Sequence, residues 1–198
     1  MLNRATPYHA PHSTDVAGCA LVYGADDRFF QNLFIGGPGR ETVGTFGYDG
    51  CTSSLEEYVN AVAEAGAKAP GDLGLFEAVE QPAYIAQNVY LSGAVSSALE
   101  PVKLDRPGFD AAFTLEANDG EAYLCCTLPE GFEAFVWDPA TTASLKRVRI
   151  ADAEFENPDG SPARLDSDIL DRKIFGKAVP GPCACLKSGR NRVKVWGA

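Results

Sequence analysis

The sequence has no long apolar run, no excess of basic residues and only two histidines, and each shortage excludes a class of function. No stretch reaches the roughly eighteen consecutive apolar residues that cross a bilayer, and residues 1–6 contain no apolar signal core. The formal charge is −10, which disfavours a protein that binds phosphate backbones or anionic membranes. We therefore expect a cytoplasmic protein with neither nucleic acid nor a membrane as partner.

The six cysteines do not follow the spacing of a small secreted disulfide scaffold. Cys183 and Cys185 lie one residue closer together than the cysteines of a zinc knuckle, and no second pair follows. Cys125 and Cys126 would point to opposite faces of a strand. We interpret the cysteines as small buried residues in a reducing compartment, with a redox or metal role as the alternative. No metal and no cofactor are expected.

Common catalytic motifs are missing as well. Residues 36–40 are rich in glycine but lack the lysine and serine of a P-loop, so we interpret them as a surface turn. The sequence contains no nucleophile elbow. Acidic residues are plentiful, but the two carboxylates of a glycosidase need not be close in sequence. The sequence pattern therefore leaves the catalytic residues unknown.

Two segments of the chain match each other: residues 30–37 read FQNLFIGG and residues 86–93 read AQNVYLSG. Each has Gln-Asn, then three bulky residues, then a glycine step. This pattern is typical of a coil of a right-handed parallel β-helix. In such a coil an asparagine at a tight corner bonds neighbouring backbone groups before a strand begins. We expect the bulky side chains of both segments to pack into the interior.

Three further elements complete the predicted fold. Residues 53–66 predict a helix, because serines precede two glutamates and apolar residues follow at helical spacing. Residues 118–120 (NDG) lie between alternating segments and predict a hairpin turn. Residues 191–196 alternate polar with apolar side chains, which predicts an outer strand with its valines and Trp196 turned to the core.

The predicted fold class is mainly β. Terminal coils of a right-handed parallel β-helix occupy residues 1–105, with one inserted helix near 53–66, and a small antiparallel β-sandwich occupies residues 106–198. An open β-helix end leaves unpaired strand groups. We therefore expect a homodimer, or docking on an upstream β-helix partner chain.

Two groups of residues are candidates for binding. His9, His12 and Asp15 are spaced three apart, which would suit a metal on a helix, but the prolines of this segment oppose a regular helix. We expect a loop whose histidines contact sugar or substrate hydroxyls, with hydrogen-bonded packing as the alternative. Tyr48 and Asp49 lie among aromatic residues that stack on sugar rings in some proteins and more often form core.

Several longer strings resemble one known family. They are residues 6–18 (TPYHAPHSTDVAG), 26–34 (DDRFFQNLF), 87–94 (QNVYLSGA) and 156–162 (ENPDGSP). Together these strings resemble the C-terminal part of the right-handed β-helix β-xylosidases, glycoside hydrolase family 120. The resemblance spans nearly the whole chain.

The resemblance implies that both catalytic carboxylates lie upstream of the region represented here. It implies a carbohydrate-related domain that is inactive alone, as a fragment or subunit of a glycosidase. Xylose or xylo-oligosaccharides would be its ligands, with the loop from His9 to Asp15 at the rim of the sugar cleft. Two alternatives remain. One is a carbohydrate-binding module using the loops near His9 and Tyr48, and the other is a β-rich assembly protein without sugar specificity.

Overall fold

The protein is mainly β. The computed structural model describes residues 5–21, 26–66, 78–149 and 151–197, and the fold class is confirmed at this level. The strands are β1 (Ala5–His9), β2 (Val16–Leu21), β3 (Asp27–Phe30), β4 (Leu33–Ile35), β5 (Ala83–Ala86), β6 (Asn88–Leu91), β7 (Lys103–Arg106), β8 (Thr114–Asn118), β9 (Glu121–Leu128) and β10 (Gly189–Trp196). The helices are α1 (Leu55–Gly66) and α2 (Thr142–Leu145), with 3-10 turns at Phe46–Tyr48 and Phe132–Ala134.

The chain forms two compact units, and each unit combines three separate segments. The first unit comprises Met1–Arg28, Tyr48–Tyr84 and Thr141–Arg164. The second comprises Phe29–Gly47, Ile85–Ala140 and Leu165–Ala198. Segments of the two units therefore alternate along the chain.

A parallel sheet in the second unit joins the two matching segments. Its strand order is β4-β6-β7, and β6 is the central strand. The two segments pair at equivalent positions: Leu33 with Val89, Phe34 with Tyr90 and Ile35 with Leu91. All three of these β6 residues are completely buried. The repeated pattern thus becomes two adjacent parallel strands whose bulky residues lie one above the other.

An antiparallel sheet in the same unit has the order β10-β9-β8. The hairpin between β8 and β9 is confirmed: Asp119 and Gly120 have φ angles of 49° and 82°, which suits a type I′ turn. Cys126 on β9 is buried in the core, while Cys125 is only half-buried. The same core includes Val89 and Leu91 of the parallel sheet, Leu128 of β9, and four residues from outside the strands, namely Ala111, Phe132, Cys183 and Leu186.

The predicted burial of Trp196 is wrong. Val193 and Val195 of β10 pack against the core, whereas the Trp196 side chain is 73% exposed. Successive side chains of a strand point to opposite faces, so the residue after Val195 turns away from the core. The strand is also irregular between Lys194 and Trp196.

The first unit contains the hairpin of β1 and β2 and the helix α1. α1 lies where the serines and the helical spacing predict it. The Ser54 hydroxyl accepts a hydrogen bond from the Glu57 backbone N–H at 3.1 Å. The Glu57 carboxylate in turn accepts bonds from the backbone and hydroxyl of Ser53, both at 2.8 Å. The Ser54 bond satisfies a donor that the first helical turn otherwise leaves unpaired, and the Glu57 bonds fix the residue before the cap.

Arg28 organises the remainder of the first unit. Its side chain is 8% exposed and pairs with Asp26 at 2.7 Å. It donates to the backbone carbonyls of Leu145 and Arg147 at 2.9 and 2.8 Å. Its guanidinium also lies over the Tyr84 ring, 4.6 Å from the centroid. A buried cation with these partners fixes the chain on both sides of residue 146.

At Gly44, in the second unit, two backbone segments lie too close together for a side chain. Its φ is +135°, and a Cβ atom there would lie 2.0 Å from the Val95 carbonyl oxygen. The two residues form a parallel bridge. We expect Gly44→Ala to lower the free energy of unfolding by about 2 kcal/mol or more, because both φ and space oppose a side chain. Urea denaturation measures this loss.

Gly47 is the matched control for Gly44. It has no heavy atom within 4 Å of a Cβ position, so Gly47→Ala should change stability by no more than about 0.5 kcal/mol. Equal losses for the two variants would contradict the close approach at Gly44.

Candidate functional site

The structure brings His9, His12 and Asp15 into one exposed hairpin between β1 and β2. The Ala10 backbone N–H donates to the Asp15 carbonyl at 2.9 Å and closes the loop. His9 Nδ1 lies 3.0 Å from the Thr14 carbonyl oxygen. A carbonyl only accepts, so this bond requires a proton on Nδ1. In the neutral ring, Nε2 of His9 is then an acceptor that suits a ligand hydroxyl.

His12 is engaged with another part of the first unit. Its φ is 55°, and its Nε2 pairs with the Glu156 carboxylate. Its side chain remains 64% exposed. This pairing joins residues 6–18 and 156–162, two of the strings that carry the family resemblance. His12 therefore has a structural partner elsewhere in the unit, whereas the His9 imidazole bonds the Thr14 carbonyl of its own hairpin.

Tyr48 and Asp49 lie at the end of a 3-10 turn and directly after it. The Tyr48 hydroxyl donates to Asp27 at 2.8 Å, and Asp49 is exposed. Burial and the neighbouring Asp27 carboxylate raise the pKa of Tyr48 to about 12. The phenol is therefore neutral at physiological pH and acts as a hydrogen-bond donor.

Cys51, like Tyr48, donates a hydrogen bond to a carboxylate and has a raised pKa. Its thiol donates to the Glu80 carboxylate at 3.3 Å. Burial, then the bond to Glu80, raises the pKa of Cys51 to about 12. Only a thiolate is a strong nucleophile or metal ligand. Cys51 is therefore a buried donor, and the regions that the structure describes contain no group of His, Cys, Asp and Glu side chains able to hold a metal ion.

A ladder of side-chain amides in the second unit joins the corners of the two matching segments. Gln31 Nε2 donates to Gln87 Oε1 at 3.0 Å. The backbone N–H and the Nδ2 of Asn32 both donate to Asn88 Oδ1, at 2.8 and 3.0 Å. The corner asparagines thus bond each other across the two strands, in addition to neighbouring backbone groups.

Glu100 accepts the next hydrogen bonds of this ladder, which come from Asn88. Its Oε1 accepts the backbone N–H and the Nδ2 of Asn88, at 2.9 and 2.8 Å. Its Oε2 accepts the Tyr90 hydroxyl at 2.5 Å. Glu100 is 2% exposed, and within the described chain no cation pairs with it. Three neutral donors therefore stabilise a buried carboxylate.

The network extends beyond the carboxylate. The Tyr90 hydroxyl lies 2.8 Å from Thr45 Oγ1, which also accepts the Ser97 backbone N–H at 2.9 Å. Thr45, Tyr90 and Ser97 are completely buried. Burial, then the bond to Glu100, raises the pKa of Tyr90 above its ordinary value. Sequence reasoning found the asparagines through their repetition but missed Glu100, because nothing around it repeats.

A cavity of about 400 Å³ borders the other end of the ladder. Asn32 and Phe34 form one side, and Leu165, Ile169 and Ile174 line it as well. Leu165 and Ile169 are 59% and 61% exposed. The site therefore combines polar amide oxygens with an uncovered apolar wall.

Asp168 also lines this cavity, although its carboxylate is committed to the protein. Its side chain is 1% exposed and pairs with Arg172 at 2.7 Å. Burial alone raises the pKa of this carboxyl, but hydrogen bonds from Arg172, Leu170 and Ala184 outweigh burial and bring the pKa to about 2. Asp168 therefore fixes its loop and stays ionised.

Glu100 provides a direct test of the amide ladder. We expect Glu100→Ala to lower the free energy of unfolding by about 3 kcal/mol or more, because it removes the carboxylate that accepts from three buried donors. Glu100→Gln keeps the shape and one acceptor oxygen, while its amide N–H can donate to the Tyr90 hydroxyl. This control should cost only about 1 kcal/mol. If urea denaturation gives equal losses, side-chain volume rather than hydrogen bonding explains the effect.

Comparisons with known proteins give one informative match. No family model and no curated protein matches the sequence. A solved structure of XylC in complex with xylose matches with a TM-score of 0.86 and 50% sequence identity. The match covers 98% of this chain and 30% of the XylC chain. The chain therefore spans less than one third of the length of XylC.

This match agrees with the strings singled out in the sequence. Identity of 50% over nearly the whole chain indicates common descent rather than a shared fold alone. It covers the Gln-Asn segments, the histidine hairpin and the NPDG turn together. This chain is therefore similar to the C-terminal region of a β-xylosidase.

Proposed function

We propose that this chain is a non-catalytic part of a β-xylosidase-type glycoside hydrolase, acting as a fragment or subunit of the whole enzyme. The observation that carries the proposal is the match to XylC, at 50% identity over 30% of that chain. The proposal assigns β4, β6 and β7 to terminal coils of a right-handed parallel β-helix. Their parallel order and equivalent register support this assignment.

The state of the acidic residues supports the view that the chain alone is not catalytic. Glycoside hydrolysis needs two accessible carboxyl groups that flank the scissile bond, and one must act as an acid. Glu100 is 2% exposed, so it cannot reach a sugar. Asp168, with a pKa of about 2, does not hold a proton to donate. Asp27 and Glu80 accept bonds from Tyr48 and Cys51.

The sugar partner in this proposal is xylose or a xylo-oligosaccharide. The XylC structure was solved with xylose, and the hairpin from His9 to Asp15 is exposed. His9 would accept a sugar hydroxyl at Nε2, while Tyr48 and Asp49 would contribute a second polar edge. A binding role is thus compatible with the absence of catalysis.

Hydrolysis of an aryl β-xyloside tests the catalytic part of the proposal. The isolated chain should release no more aryl alcohol than a heat-denatured sample, with XylC as the positive control. Robust turnover by the isolated chain would contradict the proposal. In a chimera, this chain replaces the matching region of XylC. The chimera should hydrolyse the xyloside, and a folded but inactive chimera would argue against equivalence of the two regions.

A xylose titration followed by NMR tests the binding part. The resonances of His9 and Tyr48 should shift at millimolar xylose, and His9→Ala should weaken the response. Xylitol serves as a control, because it has the hydroxyls without the ring. An unchanged spectrum would contradict sugar binding by the isolated chain.

A further inference from the structure

We infer that the acceptor edge, defined as Gln31, Asn32 and strand β4, is a docking site for one more parallel strand that begins with a side-chain amide donor. This inference rests on the proposed function, because it concerns how a terminal β-helix coil joins the remainder of an enzyme. It adds a direction and a chemical requirement to that junction.

The bonds that end on a side-chain oxygen of the ladder all run in one direction, while each asparagine amide also donates to a backbone carbonyl, that of Phe30 for Asn32 and that of Phe29 for Asn88. Gln31 donates to Gln87, and Asn32 donates twice to Asn88. Asn88 then donates twice to Glu100. Along this series of side-chain acceptors, donors therefore point from β4 toward β7, and acceptors point the opposite way.

Glu100 ends the ladder at the β7 side. Its Oε1 takes the same two bonds from Asn88 that Asn88 Oδ1 takes from Asn32, with lengths between 2.8 and 3.0 Å in both cases. A carboxylate has no proton to pass on. The residue of β7 in register with Asn88 is Lys103, whose ammonium donates to the Ser97 carbonyl at 3.0 Å. The ladder therefore cannot continue past Glu100.

The opposite end is still able to accept. Neither Gln31 Oε1 nor Asn32 Oδ1 accepts a hydrogen bond from any part of the chain that the structure describes. A strand added beside β4 in the register of β6 would place its own corner amide against these oxygens. The backbone carbonyl of Gln31 already accepts the Gly181 N–H at 2.8 Å, so the backbone groups of β4 would supply the remaining bonds of a parallel pair.

The cavity at this edge matches the side chains of such a strand. It has a volume of about 400 Å³ and is lined by Phe34, Leu165 and Ile169 among others. Phe34 already stacks on Tyr90, with ring centroids 5.1 Å apart. An incoming strand with a bulky residue at the equivalent position would extend this stack and cover the apolar wall. Exposed strand edges beside apolar surface favour pairing with another strand.

The occupant is a segment of another coil, with Gln-Asn followed by bulky residues. XylC provides the precedent of a longer chain, of which 70% lies outside the match (100 − 30). A second copy of this chain is a poor occupant. Pairing two acceptor edges would oppose oxygen to oxygen, and Glu100 blocks the donor end of each copy.

A peptide with the sequence of residues 85–92 (IAQNVYLS) tests this inference, since it reproduces the second coil. Titrated into the whole chain, it should shift the amide resonances of β4 and the side-chain amide of Asn32. It should also slow hydrogen exchange of the β4 amides. A peptide with Asp in place of Asn loses the amide donor and keeps its size. We expect it to bind at least tenfold more weakly.

Two variants of the protein separate this edge from other exposed strands. Asn32→Leu should abolish the response to the peptide, whereas Leu115→Ser on the exposed strand β8 should leave it unchanged. Equal binding of the two peptides would overturn the donor requirement, and no shift at several millimolar peptide would overturn the docking site. An inactive XylC chimera with intact peptide binding would instead contradict only the proposed function.

Discussion

The second unit depends on a buried carboxylate that has hydrogen bonds in place of a countercharge. Glu100 accepts two bonds from Asn88 and one from Tyr90. A buried charge without such partners is very costly, so the donors must stay where they are. Because Asn88 and Tyr90 lie in the central strand β6, the carboxylate fixes the register of the whole parallel sheet. Thr45 and Ser97 attach two irregular segments to the same network.

Because Glu100 accepts hydrogen bonds and cannot donate them, it also gives the row of side-chain hydrogen bonds a direction. The amide ladder ends at Glu100, and among the described residues Gln31 and Asn32 keep its unused acceptor oxygens. The uncovered wall of Leu165 and Ile169 lies at that same end. Hydrogen-bonding capacity and apolar surface thus coincide at one edge, as the proposed junction with a longer β-helix enzyme requires.

The sequence predicts those parts of the fold in which the pattern is local or repeated. The Gln-Asn segments predict parallel neighbours because each copy repeats polar corner and apolar strand. The Asp119-Gly120 turn predicts its hairpin because only a few residues tolerate its φ angles. Glu100 was missed because it reaches Asn88 from an irregular segment twelve residues away. The same holds for the pairing of His12 with Glu156, which no sequence spacing encodes.

At the candidate site, too, the sequence predicts the local chain conformation but not the partners of the side chains. Histidines in a proline-containing segment indicate a loop, and in the structure this loop joins β1 to β2. The pattern does not reveal that Tyr48 and Cys51 are bound to carboxylates, which keeps both neutral. Four carboxylates accept hydrogen bonds from side chains of the protein, namely Asp27, Glu80, Glu100 and Asp168. These carboxylates therefore stabilise the fold. Under the proposed function, carboxyl groups elsewhere in the enzyme would carry out acid catalysis. In the same proposal, this region would contribute a rigid end to the β-helix and a rim for the sugar.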